Sequence, residues 1–384
     1  MRVPPFLMER WQSHFEHEVR FNLTDSGVHP LTLEEFTDLA HVDPRPVPLG
    51  YTQTNGTEAL RERIAALHPG ADVSNVIATS GSAEANFVSL WHLVEAGDRV
   101  VIVLPTYGQA PGLLEGLNAD VTAVHLREEL GWQPSPGELA DAITADTRLV
   151  MVTNPNNPTG SRLTPEAMEE ITTAAARAGA WIVADEVYRG AEVDGVETPS
   201  FWGRGERVLA TGSLSKAYGL PGLRLGWVVG PTPGMEELWS RKDYTTICPG
   251  ALSDTLGEAA LRPDVRSRLL ERTRSILTTN RALVAELVGK SAGVLSWHPP
   301  EAGAICYLRY SGDVNSTELA DKLRTDHDTL IVPGDYFGMD GYLRVGHGVP
   351  TAELREALLR LGSCLTDALG AGSPRRESAG AGTS

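Results

Sequence analysis

The residue most able to do chemistry is a lysine, Lys216, in the run Thr211–Val229, T-G-S-L-S-K-A-Y-G-L-P-G-L-R-L-G-W-V-V. Ser213 and Ser215 precede it, Gly219, Gly222 and Gly226 follow, and Arg224 lies eight residues on. A lysine that forms a Schiff base must approach an aldehyde closely, so its neighbours must be small. If that aldehyde carries a phosphate, serine hydroxyls and a nearby cation suit the dianion, because charge-assisted donors bind it best. A solvated lysine on a glycine-rich loop is the alternative for this segment taken alone.

Other candidates stand at the ends of apolar runs. Asp185 closes the strand-like AWIVA and leads into Glu186-Val187-Tyr188. Burying a carboxylate there without a cation is costly, and a protonated pyridine nitrogen would be such a cation. Pro105-Thr106-Tyr107 ends another apolar run, where Tyr107 could stack on a planar ring or simply pack. Asn154-Pro-Asn-Asn-Pro-Thr-Gly160 carries two prolines and a glycine, which restrict the backbone and suit side-chain amides held in one place. Gly81-Ser82 opens a helical pattern, and free N–H groups at a helix start are a natural phosphate seat.

The elements that must position these residues alternate. The spacing predicts strand 76–79, helix 83–95 and strand 99–104, a βαβ unit. Strand 148–153, a helix from Thr164-Pro165 to about Arg177, and strands 180–184 and 207–211 continue the pattern, with threonine as cap and proline in the first turn. Ligands of open α/β sheets sit at the C-terminal strand ends. Residues 1–20 read as an amphipathic helix carrying Phe6, Leu7, Trp11 and Phe15, followed by a close-approach turn at Ser26-Gly27-Val28. The second half has α+β character: a charged helix over 263–290, strands around 295–310, a helix over 316–325, a strand carrying Arg344 and a closing helix over 351–368.

Composition limits the function classes. The chain has 384 residues, 41% hydrophobic and 22% charged, as in a soluble globular protein of two domains. A net charge of −17 opposes nucleic acid and anionic membrane surfaces, which need clustered Lys and Arg. Cys248, Cys306 and Cys364 are too few and too scattered for a disulfide framework and fit a reducing cytoplasm. No Cys/His spacing suits a metal, and the N-terminus lacks the apolar core of a signal peptide. The segment from Gly370 is Gly/Ala/Ser-rich and reads as a disordered tail.

From about Gly27 to Leu369 these motifs, in this order, resemble the class I/II aminotransferases, pyridoxal 5′-phosphate enzymes of fold type I. The resemblance implies an α/β large domain, with a mainly parallel sheet and helices on both faces, plus a smaller α+β domain. The expected division is an arm over 1–44, the large domain over 45–275, the small domain over 276–369 and the tail over 370–384. It implies that Lys216 forms the Schiff base and shuttles the proton, that Asp185 pairs with the ring nitrogen, and that Asn157 and Tyr188 bond the ring oxygen. Tyr107 would stack on the ring. Ser82, Ala83, Ser213 and Arg224 would hold the phosphate, although Ala83 stands where many relatives have glutamine. Arg344, with Gly27 and Asn157 nearby, would clamp the substrate carboxylate. Tyr51 would reach the phosphate of a neighbouring subunit, and 243–246 would also contribute across the interface, implying a homodimer with shared sites.

The reaction expected is transamination of an L-α-amino acid with a 2-oxo acid. The second reading is elimination and ring closure, because SGVHP, SLSKAYGLPGLRLGW, KDY and IVPGDYFG are similar to capreomycidine synthase and related cyclases of hydroxylated arginine. Asp25, Glu84 and Glu9 are the acidic candidates for a guanidinium, and Trp11, Phe15, Val28 and Tyr107 suggest a partly apolar pocket. A non-catalytic cofactor sensor is the third reading, disfavoured because so few residues precede the family match.

Overall fold

A computed structural model describes residues 2–369; the tail expected from Gly370 lies outside the described residues. Its centre is a seven-stranded sheet in the order Val76–Thr79, Gly226–Val229, Val208–Ser213, Trp181–Asp185, Thr147–Thr153, Arg99–Leu104, Asp120–His125. Gly226–Val229 runs antiparallel to both neighbours, and the other pairs are parallel. The inner strands are apolar on both faces because helices cover both. Val100, Ile102, Leu149, Met151 and Val183 pack on one side, and Val101, Val103, Val150, Val152 and Ala184 on the other.

The strands expected from sequence at 76–79 and 99–104 match the observed bounds. The helix after Gly81-Ser82 begins earlier than its pattern suggested, at Gly81, and ends at Leu93. The helix Pro165–Ala178 has the expected threonine cap, with Thr164 Oγ1 accepting from Ala167 N at 3.2 Å.

A second sheet of four strands, Val332–Pro333, Tyr342–Gly346, Ile305–Tyr310 and Leu295–Trp297, is wholly antiparallel. Phe21–Asn22 pairs in parallel with Thr329–Leu330, so the N-terminal segment is tied to this smaller body. The helix Pro263–Lys290 runs unbroken through the expected boundary at 275/276. The N-terminal helix spans only Leu7–Phe15.

Candidate active site

Four strands of the large sheet end on one side, and each delivers candidate residues there. Arg99–Leu104 leads to Tyr107, Thr147–Thr153 to Asn157, Trp181–Asp185 ends on Asp185 and leads to Tyr188, and Val208–Ser213 leads to Lys216. They surround a cavity of about 440 Å³ whose walls also include Ser82, Ala83, Arg224 and Arg344. Residues as far apart in sequence as Ser82 and Arg344 converge here: the strand ends of the large sheet supply one side, and Arg344, on the strand Tyr342–Gly346 of the second sheet, supplies another.

Asp185 lies at the floor. Asn86 Nδ2 donates to its Oδ2 at 2.8 Å and Val187 N to its Oδ1 at 3.1 Å. Burial pushes its carboxyl above the ordinary value, against those two donors. No cation pairs with it among the described residues. The Asn86 amide is oriented in turn by Thr211 Oγ1, which donates to Asn86 Oδ1 at 2.8 Å. Asn86 was not among the sequence candidates. The available signal is an asparagine on a helix face otherwise built from Ala85, Val88, Ser89 and Leu93.

A polar chain crosses the cavity wall. Arg344 Nη1 donates to Asn157 Oδ1 at 3.1 Å, Asn157 Nδ2 to Tyr188 Oη at 3.1 Å, and Tyr188 Oη to Ser26 Oγ at 2.7 Å. Arg344 Nη2 bonds the Thr24 carbonyl, while its buried Nε has no partner among the described residues. Burial pulls the Arg344 guanidinium below its ordinary value. Lys216 Nζ donates to Asp25 Oδ1 at 2.7 Å. Gly27 lies against the lysine stem: a Cβ there would come within 3.3 Å of Lys216 Cδ.

The first-turn N–H groups of the helix Gly81–Leu93 have no partner within that helix. Arg224 lies across this end. A Cβ on Gly81 would stand 2.6 Å from Arg224 Nη2, and one on Gly226 would stand 2.4 Å from Gly81 C and 2.6 Å from Ser82 N. Bare glycines therefore let a guanidinium and a helix N-terminus share one space, which suits a dianion.

Some expected residues stand elsewhere. Ser213 is buried behind the wall, its Oγ accepting from Ser215 N at 3.2 Å, and Ser215 lines the cavity instead. Tyr51 is 89% exposed and outside the cavity of its own chain. Tyr107 lines the cavity, with its hydroxyl donating to Glu9 Oε1 at 2.6 Å. Glu84 does not face the cavity: it accepts from Thr246 N at 3.2 Å and from Thr246 Oγ1 at 2.8 Å, pinning the 243–246 segment of its own chain.

The expected apolar pocket needs correction. Trp11 and Phe15 pack into the small-domain core, Trp11 Nε1 donating to Ile331 O at 2.9 Å, and Val28 packs in the large-domain core. The arm helix turns its other face inward, so Met8, Glu9, Gln12 and Glu16 line the cavity beside Asn22, Thr24 and Asp25.

The aminotransferase class I and II sequence profile matches residues 45–361. The chain belongs to that family. Its members of this fold are pyridoxal-phosphate enzymes, and the residues present suit the cofactor: an uncompensated buried Asp185 for a ring nitrogen and a glycine-cleared seat for a phosphate. Capreomycidine synthase of Streptomyces vinaceus is 31% identical over 367 residues, covering 93% of this chain and 92% of the relative. Arginine–pyruvate transaminase of Pseudomonas aeruginosa is 29% identical, covering 83% of each. Among solved structures, a PLP-dependent aminotransferase from Streptococcus suis superposes with a TM-score of 0.90 at 29% identity, covering 97% of this chain and all (100%) of that one. A PLP-dependent cyclase superposes at 0.87 and 27% identity, covering 96% and 98%. Among the described residues no helix is long and apolar enough to cross a membrane, and no group of residues suits a metal ion.

Proposed function

We propose that this enzyme acts at Cα of an L-α-amino acid bearing a cationic, guanidinium-type side chain, transaminating it against a 2-oxo acid. The observation that carries the substrate class is the inward face of the arm helix, where Glu9 and Glu16 present carboxylates to the cavity. Carboxylates recognise guanidinium groups with paired charge-assisted bonds. The Pseudomonas relative is an arginine–pyruvate transaminase, which agrees with this choice.

Lys216 would carry the cofactor and, once released from it, act as the base that takes the proton from Cα of the substrate and delivers it to C4′ of the cofactor. Asp185 would face the ring nitrogen and hold its proton. Asn157 and Tyr188 would bond the ring oxygen, and Tyr107 would lie against the ring. The N–H groups of Ser82 and Ala83, with Arg224 and with Ser215 in place of the buried Ser213, would hold the phosphate. Arg344 would bind the substrate carboxylate, with Gly27 leaving room beside it. Bound there, pyridoxal phosphate supplies an electron sink for the bond broken at Cα. Tyr51, exposed on its own chain, would complete the site of a second copy in a homodimer. We place the protein in the cytoplasm, where its three unpaired cysteines are stable. We divide it into an arm over 1–44, a cofactor-binding domain over 45–275 and a small domain over 276–369.

The second reading is elimination and ring closure on a hydroxylated arginine. It is favoured by the long reach of the match to capreomycidine synthase, 93% of this chain against 83% for the transaminase. One experiment separates the two. Holoenzyme is mixed, without 2-oxo acid, with arginine, 3- and 4-hydroxyarginine, lysine, leucine and aspartate, and products are identified by mass. Stoichiometric release of a 2-oxo acid from arginine, with loss of the cofactor's visible band, supports transamination. Loss of water from a hydroxyarginine without a 2-oxo acid replaces it with the cyclase. Equal reaction with leucine or aspartate overturns the cationic-substrate reading.

A further inference from the structure

We propose that Asn86 is a positioning residue of this site: its amide, oriented by the Thr211 hydroxyl, holds the buried Asp185 carboxylate charged and aimed to take the N–H of a cofactor ring. This rests on the pyridoxal-phosphate reading of the cavity.

The arrangement follows from strand periodicity, since side chains two residues apart share one face. Val183 and Leu209 are partners across the strands Trp181–Asp185 and Val208–Ser213, and so are Asp185 and Thr211. Val183 and Leu209 pack in one apolar cluster with Ala85, Val88 and Leu93 of the helix Gly81–Leu93. Asp185 and Thr211 continue that face toward the strand ends, under the first half of the same helix. There Asn86 bridges the pair. Its Nδ2 donates to Asp185 Oδ2 at 2.8 Å, and its Oδ1 accepts from Thr211 Oγ1 at 2.8 Å. All three side chains are buried.

Chemistry fixes which way the amide points. Turned over, its oxygen would face an ionised carboxylate, two acceptors with no proton between them. The Thr211 hydroxyl gives the amide oxygen its donor, which leaves the amide N–H for Asp185. Burying an amide among apolar side chains is costly unless both ends are bonded, and asparagine is a poor residue for a helix interior. Leucine would serve packing alone at this place, and what leucine lacks is the donor. Asp185 needs that donor. Burial pushes its carboxyl above the ordinary value, and the Asn86 amide and Val187 N act against burial. Val187 N belongs to the backbone and would serve any aspartate here. Asn86 is the one side chain among the described residues that donates to Asp185. With one donor on each oxygen, an acceptor position on each stays open. None of the three residues is the one that bonds the cofactor covalently. All sit on the large sheet or its covering helix, so their contacts do not depend on where Lys216 points.

The test compares two ligands. Wild type, Asn86→Leu, Thr211→Val and Thr211→Ser, each stripped of cofactor, are dialysed to equilibrium against pyridoxal phosphate and against its deaza analogue, in which carbon replaces the ring nitrogen. Both ligands carry the same aldehyde and phosphate, so the ratio of their affinities isolates the nitrogen. A hydrogen bond to a charged group is worth a factor of about 10–100. The wild-type ratio should favour pyridoxal phosphate, and Asn86→Leu should cut it by about that factor. Thr211→Val should cut it in the same direction, and Thr211→Ser, which keeps the hydroxyl, should restore it. Equal loss of affinity for both ligands in Asn86→Leu, with the ratio unchanged, would be a packing effect and overturns the proposal. If Asn86→Leu does not fold, the near-isosteric Thr211→Val set against Thr211→Ser carries the same reading, and an equal ratio in those two overturns it. A wild type with equal affinity for the two ligands overturns the pairing of Asp185 with the ring nitrogen. A wild type that binds neither overturns the cofactor reading itself, so the failures are distinct.

Discussion

Lys216 and Arg344 are charges that line one cavity, and each has a distinct expected loss. Lys216→Ala removes the nitrogen that would bond the cofactor, so turnover and the visible band should both vanish while the melting temperature stays near wild type. Full activity in that variant would remove the mechanism. Arg344→Ala should weaken binding of a substrate-like carboxylate by about 2–5 kcal/mol, the cost of truncating one side of a buried charge pair. Titration calorimetry with an unreactive 2-methyl amino acid reads this without turnover. Glu186 makes a different prediction. Burial pushes its carboxyl up to about 6 from 4.5, despite Arg189 nearby and donors from Phe201 N and Ser200 Oγ. A raised carboxyl favours folding while protonated and costs stability once pH passes from the unfolded value through the folded one. Glu186→Gln should therefore match wild type below pH 4.5 and gain up to about 2 kcal/mol on it by pH 6, at 1.36 kcal/mol per unit. Denaturant titrations at several pH values test the sign; a gap that closes as pH rises contradicts the assigned burial.

The elements around the phosphate seat owe their fit to what is missing. Gly226 lies on a strand under the start of the helix Gly81–Leu93, and its absent side chain leaves room for Gly81 and Ser82. Gly226→Ala should push that helix start outward, costing about 1–3 kcal/mol of stability, as overpacking does. It should also weaken pyridoxal phosphate binding at least tenfold, about 1.4 kcal/mol. Equilibrium dialysis against the cofactor reads the second effect, and unchanged affinity would move the phosphate elsewhere. The same scale shows what the sequence made legible. Lys216, Asp185, Asn157 and Tyr188 each follow an apolar strand within a few residues, so local pattern places them. The helix Gln109–Gly116 and the strand Asp120–His125 were not foreseen. The first carries Pro111 and Gly112 inside it, and the second is a sheet edge with most side chains exposed. The arm helix was foreseen, and Trp11 and Phe15 pack onto the body as expected, but the apolar pocket drawn from the same two residues is not formed by them, since an amphipathic pattern does not say which stripe meets the cavity. The Asp25–Lys216 contact spans 191 residues and exists only once the small body docks on the large sheet.

At the scale of the whole molecule, the described chain leaves an unfinished surface. Leu49 is 83% exposed, Tyr51 89% and Tyr244 80%, with Ile247 and Leu252 also exposed. These residues are neighbours, because Thr52 Oγ1 donates to Pro249 O at 3.0 Å and Trp239 Nε1 to Thr54 Oγ1 at 2.9 Å, tying the two segments together. Large apolar side chains gathered on one face mark an interaction surface. Beside them, Glu84 joins the 245–246 hydroxyls to the helix that opens the phosphate seat: its Oε2 accepts from Ser80 N at 2.5 Å, and its carboxylate takes both threonine hydroxyls. Pairing of two chains through this face would therefore bear on cofactor binding as well as on mass. Sedimentation should give twice 41.3 kDa for the wild type. Leu49→Asp combined with Tyr244→Asp buries charges in any such interface and should shift the protein toward monomer. If Tyr51 serves the partner's phosphate, that shift should weaken pyridoxal phosphate binding, and Tyr51→Phe should weaken it while leaving the mass unchanged. A wild-type monomer that holds cofactor tightly would show each chain to be complete alone.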